Sequence, residues 1–419
     1  MSGDRGLPSE SSTELPLDGL KVIEFSHMVM GPSAGLVLAD LGADVIRVEP
    51  VDGDRTRELR GSGAGYFAMY NRNKRSIRID LKSPEGKVVA RDLVASADIL
   101  IENFRPGAMD RLGLGYEALS EQNPGLIYCS TRGFLAGPYE QRTALDEVAQ
   151  MMGGLAYMTG PPGRPLRAGA SVIDVTGGMF GVIGILAAVE ARHRTGNGQY
   201  VKSSLYETTT FFVGQHMAQK AVTGEAAAPM PERISAWAIY DIFETADHEM
   251  LFVGVVSDAQ WVTFCQDFGL GELAADPGLA RNSDRVAARD RIIPVVRELF
   301  SSLSKAELMD KLETSGLPFA PVTKPEELFD DPHLNASGGL VPVTLPDGST
   351  AHLPALPLEM GDHRPGVRRD LPGSGEHSAE VLAEIGYDPE RIAALSGDGV
   401  ISEGDFADEP ALRDAPTAG

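Results

Sequence analysis

The sequence is short of cysteine, of aromatic side chains and of basic charge. Its 419 residues include 2 Cys, at positions 129 and 265, which excludes a disulfide framework and a cysteine-rich zinc site. Lys and Arg number 37 against 60 Asp and Glu, a net charge of −23. A field of that sign repels phosphate polymers and anionic lipid, so we expect no nucleic-acid and no membrane partner.

Targeting and metal-binding signals are also missing. Residues 1–16 are polar and lack the apolar core of a signal peptide. The longest apolar stretch, near 179–188, is shorter than the ~20 residues that span a bilayer. The histidines show no H-E-x-x-H spacing, and no P-loop or G-x-S-x-G elbow occurs. We therefore expect a cytoplasmic protein without a metal site.

Strands that alternate with helices predict an α/β fold with a doubly wound, Rossmann-like parallel sheet. Beyond residue 230, a predicted hairpin at 236–255 and several helices indicate a smaller α+β domain, and a second hairpin is predicted further on, at 341–354. The predicted organisation is a flexible leader at 1–16, a large domain at 17–204, a linker at 205–230, a small domain at 231–302, a linker at 303–325, a return to the large domain at 326–395 and a mobile acidic tail at 396–419.

The first βα turn has one feature of a dinucleotide-binding domain, because Glu49 ends the second strand where such a domain places its ribose-binding acid. However, residues 26–35 lack the G-x-G-x-x-G pattern, and bulky Met28 would keep a pyrophosphate off the backbone. An NAD oxidoreductase is therefore disfavoured. His27, in the same turn, could act as an acid or base, although a lone histidine is more often a packed residue.

A basic run at 71–78 contrasts with the acidic composition. Arg72, Lys74 and Arg75 belong to it, and no acid interrupts it. Such a run is either a solvated face or a pocket for phosphate groups. Arg105 and Arg111, which follow the predicted strand at 98–101, could add to that pocket.

Asp174 stands just before a long apolar helix at about 175–194. A structural interpretation makes it the helix N-cap. A chemical interpretation is compatible with that one, because a helix N-terminus stabilises an anion and an ionised carboxylate can attack a thioester. Gly177 and Gly178 would let a ligand approach the backbone closely.

Together these segments resemble the class III CoA-transferase family, which includes formyl-CoA:oxalate and carnitine CoA-transferases and α-methylacyl-CoA racemase. The likeness runs from about residue 17 to 385. It is carried by residues 17–25, 31–32, 41–49, 71–80, 102–107, 153–154, 181–190 and 192–199.

The resemblance implies that Asp174 is a covalent nucleophile. Its carboxylate attacks an acyl-CoA to give an anhydride and free CoA thiolate, and the thiolate returns to form an aspartyl-CoA thioester. The acceptor carboxylate then takes the CoA. The resemblance also implies an interlocked homodimer, and no metal or permanent cofactor, with the CoA thioester as substrate.

Binding residues follow from the same resemblance. Asn103, Phe104 and Arg111 would contact CoA, with Ile79 beside the adenine. His27, Met28 and Val29 would line the acyl pocket. Arg72, Lys74, Arg75 and Arg105 are candidates for the phosphate pocket because of their charge and not because of the resemblance. Pro50 stands where some members place an arginine that stacks on adenine.

The predicted function is CoA transfer from succinyl-CoA, or a similar donor, to a small carboxylic acid. A dicarboxylate is a candidate acceptor, with Arg233 or Arg167 holding its distal carboxylate. One alternative is an acyl-CoA racemase, but Leu145 replaces the histidine base of that branch. Another alternative is a non-catalytic CoA-binding protein.

Overall fold

The computed structural model describes residues 15–232, 235–361, 364–402 and 404. It divides into two compact units, the large unit at 15–231 and 333–404 and the small unit at 232–332. The strands are β1 Lys21–Phe25, β2 Asp44–Glu49, β3 Lys74–Ile79, β4 Ile99–Glu102, β5 Ile127–Arg132, β6 Tyr200–Ser204, β7 Ile239–Glu244, β8 Met250–Val255, β9 Phe319–Pro321, β10 Leu340–Thr344, β11 Thr350–Pro354 and β12 Ile401–Ser402.

Helices cover both faces of the main sheet and surround the small one. They are α1 Met30–Asp40, α2 Tyr66–Tyr70, α3 Pro84–Ala95, α4 Ala108–Leu112, α5 Tyr116–Gln122, α6 Asp146–Met152, α7 Leu155–Thr159, α8 Val172–Thr195, α9 Leu205–Thr223, α10 Asp258–Asp267, α11 Gly271–Ala275, α12 Asn282–Ala287, α13 Arg289–Phe300, α14 Lys305–Ser315, α15 Pro332–Ser337, α16 Ser378–Glu384 and α17 Pro389–Gly397.

The large unit is built on a seven-stranded sheet in the order β12-β3-β2-β1-β4-β5-β6. All neighbours pair in parallel except β12, which runs antiparallel to β3. The chain starts in the middle, winds outward through β2 and β3, and then crosses to β4. This is the doubly wound order of Rossmann-like folds, and the α/β prediction is confirmed.

Helices pack on both faces, so the central strands are buried on both sides and read as apolar runs. Ile23 and Phe25 of β1 belong to one core cluster, while Val22 belongs to the cluster on the other face. A second, antiparallel hairpin of β10 and β11 also belongs to this unit.

Helix α8 is longer than the apolar stretch suggested. By length and composition it could cross a membrane, a test that the core helix of a globular protein also passes. Here α8 packs against α1, β5 and β6. A Cβ atom on Gly178 would stand 2.6 Å from the carbonyl oxygen of Met30, so glycine allows the two helices to touch.

The small unit has an antiparallel sheet in the order β7-β8-β9. Its core contains Phe243, Trp261, Phe264 and Phe300, each no more than 4% exposed. The predicted hairpin at 236–255 is confirmed. His248 in its turn adopts a positive φ of 60°, as turns of this kind require.

Segment boundaries differ from the predicted ones in three places. The predicted linker at 205–230 begins with α9, and the predicted linker at 303–325 contributes α14 and β9 to the small unit, which continues to residue 332. Strand β12 lies within the predicted tail and adds an edge to the main sheet. Residues 403 and 405–419 of that tail and residues 1–14 of the predicted leader lie outside the described residues.

Candidate active site

The topology opens a crevice between β1 and β4, because the chain reverses its winding direction there. His27 follows β1 and Asn103 follows β4. The Asn103 side chain accepts a hydrogen bond from the His27 backbone N–H (3.1 Å) and donates one to the His27 carbonyl oxygen (2.7 Å). Both ends of its amide are thereby committed to fixing this loop, so Asn103 shapes the crevice wall.

Met28, next in the loop, adopts the left-handed conformation with φ of 62°. A residue with a Cβ enters this region only when its surroundings impose it. Its backbone N–H donates to the Thr56 hydroxyl (3.2 Å), and that hydroxyl donates to Asp54 (2.8 Å). Asp54 also pairs with buried Arg47. The Met28 side chain, 41% exposed, is therefore held at the mouth of the crevice.

Asp174 reaches the crevice from the third position of α8, whose N-cap residue is Ser171. It lines a cavity of about 240 Å³, here called the Asp174 cavity. The cavity is lined by His27, Met28, Val29, Met30, Tyr66, Asn103, Thr131, Arg132, Gly133, Ala144, Leu145, Asp146, Glu147, Ser171, Asp174 and Leu205. The structure thus brings Asp174 together with the three residues predicted for the acyl pocket.

Burial raises the pKa of Asp174 from 3.8 to about 7, with the negative charges of Asp146 and Glu147 adding to the rise and Arg167 opposing it. Burial, together with the negative charge of Asp174, raises the pKa of Tyr70 of α2 to about 12. The sequence predicted a carboxylate stabilised by the helix end and ionised at neutral pH. The structure shows instead a carboxyl that ionises near neutrality, since burial and two neighbouring acids outweigh the helix end.

His27 is a neutral group in this environment. Burial lowers its pKa, and the charge of Arg47 lowers it further, while the hydrogen bond to Asn103 acts in the opposite sense. Its ring centroid lies 6.0 Å from that of Phe104. His27 and Phe104 therefore form one aromatic wall at the carboxyl ends of β1 and β4.

A second cavity of about 460 Å³, the Phe104 cavity, adjoins the first. His27, Asn103, Thr131, Arg132, Gly133, Ala144 and Leu145 line both. Its other walls carry Arg105, Arg111 and Arg142, with Glu140 as the acid among its lining residues. In a protein of net charge −23 this is a local concentration of cations, which is what a phosphorylated ligand requires.

The basic run at 71–78 lies elsewhere. Arg72 pairs with Asp40 (2.7 Å) and Lys74 with Glu24 (2.8 Å), and both cations are buried. Arg75 pairs with Asp44 and Glu384. Neither of the two alternatives for the run describes what the structure shows, since these cations neutralise carboxylates inside the fold. They line neither cavity, so the structure gives no support to a phosphate-binding role for Arg72, Lys74 and Arg75.

The predicted ligand contacts at Ile79 and at Gly177 and Gly178 are not supported by the structure. Ile79 is fully buried in the core and pairs with Ile401 of β12, so it presents no surface to an adenine. Gly177 and Gly178 face α1 instead of a ligand, since a Cβ on either would run into Met30.

Of the two arginines proposed for the acceptor, Arg233 lies outside the described residues. Arg167 stands 3.8 Å from Asp146 and 3.4 Å from Glu147. Among the described residues, no group of three or more His, Cys, Asp and Glu side chains is arranged to hold a metal ion.

Sequence reasoning missed Arg132 and Arg142. Arg132 is the last residue of β5 and lines both cavities, with Nη2 2.9 Å from the Tyr200 hydroxyl and 3.5 Å from buried Glu102. The signal that could have identified it is its position, because β4 and β5 are neighbours and the carboxyl ends of parallel strands meet at one edge.

The switch point of the doubly wound sheet thus places a buried carboxyl group beside a crevice lined by cations, as a site for an anionic ligand would require. Residues 17–378 match the model of CoA-transferase family III, and the chain belongs to that family. It is therefore a class III CoA-transferase, whose substrates are CoA thioesters.

Relatives support the assignment over nearly the whole length. A succinate–glutarate CoA-transferase of Agrobacterium fabrum is 35% identical, covering 88% of this chain and 96% of its own. A succinyl-CoA–L-malate CoA-transferase β subunit of Chloroflexus aurantiacus is 32% identical, covering 93% and 99%. A crystal structure of a CaiB/BaiF family protein from Brucella suis superposes with a TM-score of 0.80 at 34% identity, covering 89% of this chain and all of its own.

Proposed function

We propose that the protein transfers CoA from succinyl-CoA to a small dicarboxylic acid, with Asp174 as the covalent nucleophile. The observation that carries the proposal is the position of Asp174, a carboxyl with a pKa of about 7 in a cavity continuous with a cationic crevice. Two of the relatives named above are a succinate–glutarate and a succinyl-CoA–L-malate CoA-transferase, which supports the choice of donor and acceptor class.

Asp174 suits the first step for a physical reason. A carboxylate that is buried beside other acids is poorly solvated and remains basic, and both properties favour attack on a thioester carbonyl. Attack forms a C–O bond, breaks the C–S bond and transfers the negative charge from the aspartate to the CoA sulfur. The reaction needs no metal or redox cofactor.

The Phe104 cavity is the proposed site for CoA. Arg105, Arg111 and Arg142 would hold its phosphates, and the ring of Phe104 would lie against its apolar part. Among the described residues none of these three arginines forms an ion pair with a carboxylate, so each can meet a phosphate without giving up a partner. His27, Met28 and Val29 remain the proposed wall of the acyl pocket.

Arg132 is the proposed holder of the acceptor's distal carboxylate. Of the described residues that line the Asp174 cavity, it is the one Arg or Lys. Its Nε atom is buried without a hydrogen-bond partner among the described residues, so the guanidinium is not saturated by Glu102 and Tyr200. Arg167 is less suited, because two carboxylates already neutralise it. If R132Q raised the KM for monocarboxylic and dicarboxylic acceptors equally, this role would be wrong.

The racemase alternative is not supported by the cavity. Leu145, 60% exposed, lines the cavity where that branch carries its histidine base, so α-proton exchange lacks one of its two proton handlers. Incubation of a 2-methylacyl-CoA in D₂O is expected to leave its α-proton in place.

Trapping of the acyl-enzyme tests the nucleophile directly. The protein is incubated with succinyl-CoA, treated with hydroxylamine and digested, and the peptide that contains Asp174 is examined by mass spectrometry. A hydroxamate at Asp174 is expected in the wild type and its absence in D174N. Asp290, an exposed residue of the small unit, provides the matched control, since D290N should still be trapped. A hydroxamate on another residue, or none with any acyl-CoA donor, would refute the proposal.

A homodimer is proposed from the surface of the large unit. Six apolar side chains of α8 and α9 are between 37% and 72% exposed, namely Met179, Phe180, Ile183, Phe211, Phe212 and Met217. A contiguous apolar surface on a helix pair marks a protein interface, and a second copy of the chain is its proposed occupant. A cytoplasmic location remains our expectation from the sequence.

A further inference from the structure

The N-terminus of α8 is capped by a residue from another helix. Ser171 stands at the N-cap position, but its side chain accepts no capping hydrogen bond. Instead, Oδ2 of Asp146, on α6, accepts hydrogen bonds from the backbone N–H groups of Ile173 (2.9 Å) and Asp174 (3.1 Å). These are donors of the first turn of α8, which a helix leaves without partners of its own.

The other oxygen of Asp146 is also fixed. Oδ1 accepts from Nε2 of Gln150, one turn along α6, and lies 3.8 Å from Nη1 of Arg167. Gln150 is in turn held by the Ala168 N–H, which donates to its Oε1 (2.8 Å). Asp146 is 3% exposed. Its carboxylate is therefore immobile, and it is bonded directly to the backbone of the proposed nucleophile.

We propose that Asp146 is the positioning residue of the CoA-transfer site. It fixes the backbone of Asp174 and occupies the free N–H donors at the positive end of α8. It also keeps a negative charge beside the nucleophile. This inference rests on the proposed role of Asp174. A helix end offers few free N–H donors, and those engaged by Asp146 cannot also stabilise an Asp174 carboxylate.

The arrangement favours the acylation step by its charge balance. Before reaction Asp146 faces a like charge on Asp174. When Asp174 attacks the thioester, its negative charge leaves with the CoA sulfur and the side chain becomes a neutral anhydride. The repulsion present in the free enzyme is then absent, so Asp146 raises the energy of the ground state relative to the acyl-enzyme.

Other charged and titratable groups around Asp174 are few. Asp146 and Glu147 face it from α6, and Arg167 faces it from the segment before α8. Tyr66 and Tyr70 approach from α2, and His27 and Arg132 line the same cavity. The two acids raise the pKa of Asp174 and Arg167 lowers it.

The test is the pH dependence of kcat/KM for succinyl-CoA, which reports groups of the free enzyme and substrate. It is measured with glutarate as acceptor between about pH 5 and about pH 9, with CoA esters separated by chromatography. In the wild type the rate should rise through a midpoint near 7, the pKa of Asp174. In D146N the midpoint should fall by about one pH unit, the lower end of the effect of a neighbouring charge.

Glu147→Gln is the matched control, since Glu147 is also an acid of α6 but is exposed and makes no bond to α8. A smaller downward shift is expected for E147Q, with unchanged thermal stability. D146N with the wild-type midpoint would overturn the inference. Should D146N not fold, Arg167→Gln is measured instead. Removal of the cation that faces Asp146 should raise the midpoint of the pH profile, and an unchanged midpoint would overturn the inference. Failure of wild-type trapping at Asp174 would instead count against the proposed function.

Discussion

Replacement of Asp174 by asparagine should make the protein more stable, and the effect should depend on pH. The pKa of Asp174 is raised from 3.8 to about 7 in the folded protein. Between those values the unfolded chain releases a proton that the folded protein keeps, so the free energy of unfolding decreases as pH rises. Each pH unit contributes about 1.4 kcal/mol, so roughly three units amount to about 4 kcal/mol.

The decrease in the free energy of unfolding should be complete above the pKa of Asp174 in the folded protein and absent below its pKa in the unfolded chain. D174N removes it, because an amide does not ionise. At about pH 8 the variant should therefore exceed the wild type by up to about 4 kcal/mol, and at about pH 4 the two should agree within ~1 kcal/mol. Asn keeps the shape of the side chain, so lost packing does not obscure the comparison.

Urea unfolding at the two pH values, followed by far-UV circular dichroism, measures the difference. Both tryptophans of the chain, Trp237 and Trp261, lie in the small unit, so their fluorescence reports that unit separately. D290N, which changes an exposed acid, should match the wild type at both pH values. Equal stability of D174N and wild type at about pH 8 would refute the reasoning, since it would mean that ionised Asp174 costs nothing in the fold.

Three other substitutions test separate parts of the site. Arg111→Ala should raise the KM for succinyl-CoA about tenfold with little change in kcat, and D110N, next to it on α4, is the control; steady-state kinetics at low and high salt measure both. Asn103→Ala removes two hydrogen bonds from the His27 backbone, so it should lower the free energy of unfolding by about 1–3 kcal/mol and also lower kcat/KM, whereas a change in KM alone would contradict its role in fixing the loop. Phe211→Glu should yield a monomer in sedimentation velocity, and a dimer unchanged by this charge would exclude the proposed apolar interface.

The sheet could be predicted from the sequence because its signals are local. Apolar runs such as 20–25 and 44–48 are each followed by a turn and a helical stretch, and only a parallel doubly wound sheet buries so many strands on both faces. The short strand β12 escaped prediction because two residues carry no periodic signal. Its pairing with β3 depends on contacts more than 300 positions apart in the chain.

The basic run shows where reasoning from sequence stops. Its cations are separated from their acidic partners by 32 positions for Arg72 and Asp40 and by 50 for Lys74 and Glu24. The sequence around the run does not reveal such distant pairings. Cations that form ion pairs inside the fold and cations that bind phosphate therefore produce the same basic run in the sequence. The cations that do line the crevice are scattered singly along the chain, at 105, 111, 132 and 142, and share only their place after parallel strands.

Asp174 and Asp146 illustrate how a fold can hold a reactive carboxylate. A helix N-terminus alone would stabilise the Asp174 anion, which is the expectation from sequence and would produce a weaker nucleophile. The fold reverses that effect by bringing a second carboxylate, 28 positions earlier, onto the same backbone N–H groups. The ionised side chain of Asp174 therefore loses the stabilisation that the N-terminus of α8 could have provided. In the proposed mechanism, acylation of Asp174 removes its charge and with it this loss of stability. The same pair of residues thus links the destabilisation of the folded protein by ionised Asp174 to the reactivity of that carboxylate. Both D174N and D146N should lower this destabilisation and lower the rate of CoA transfer.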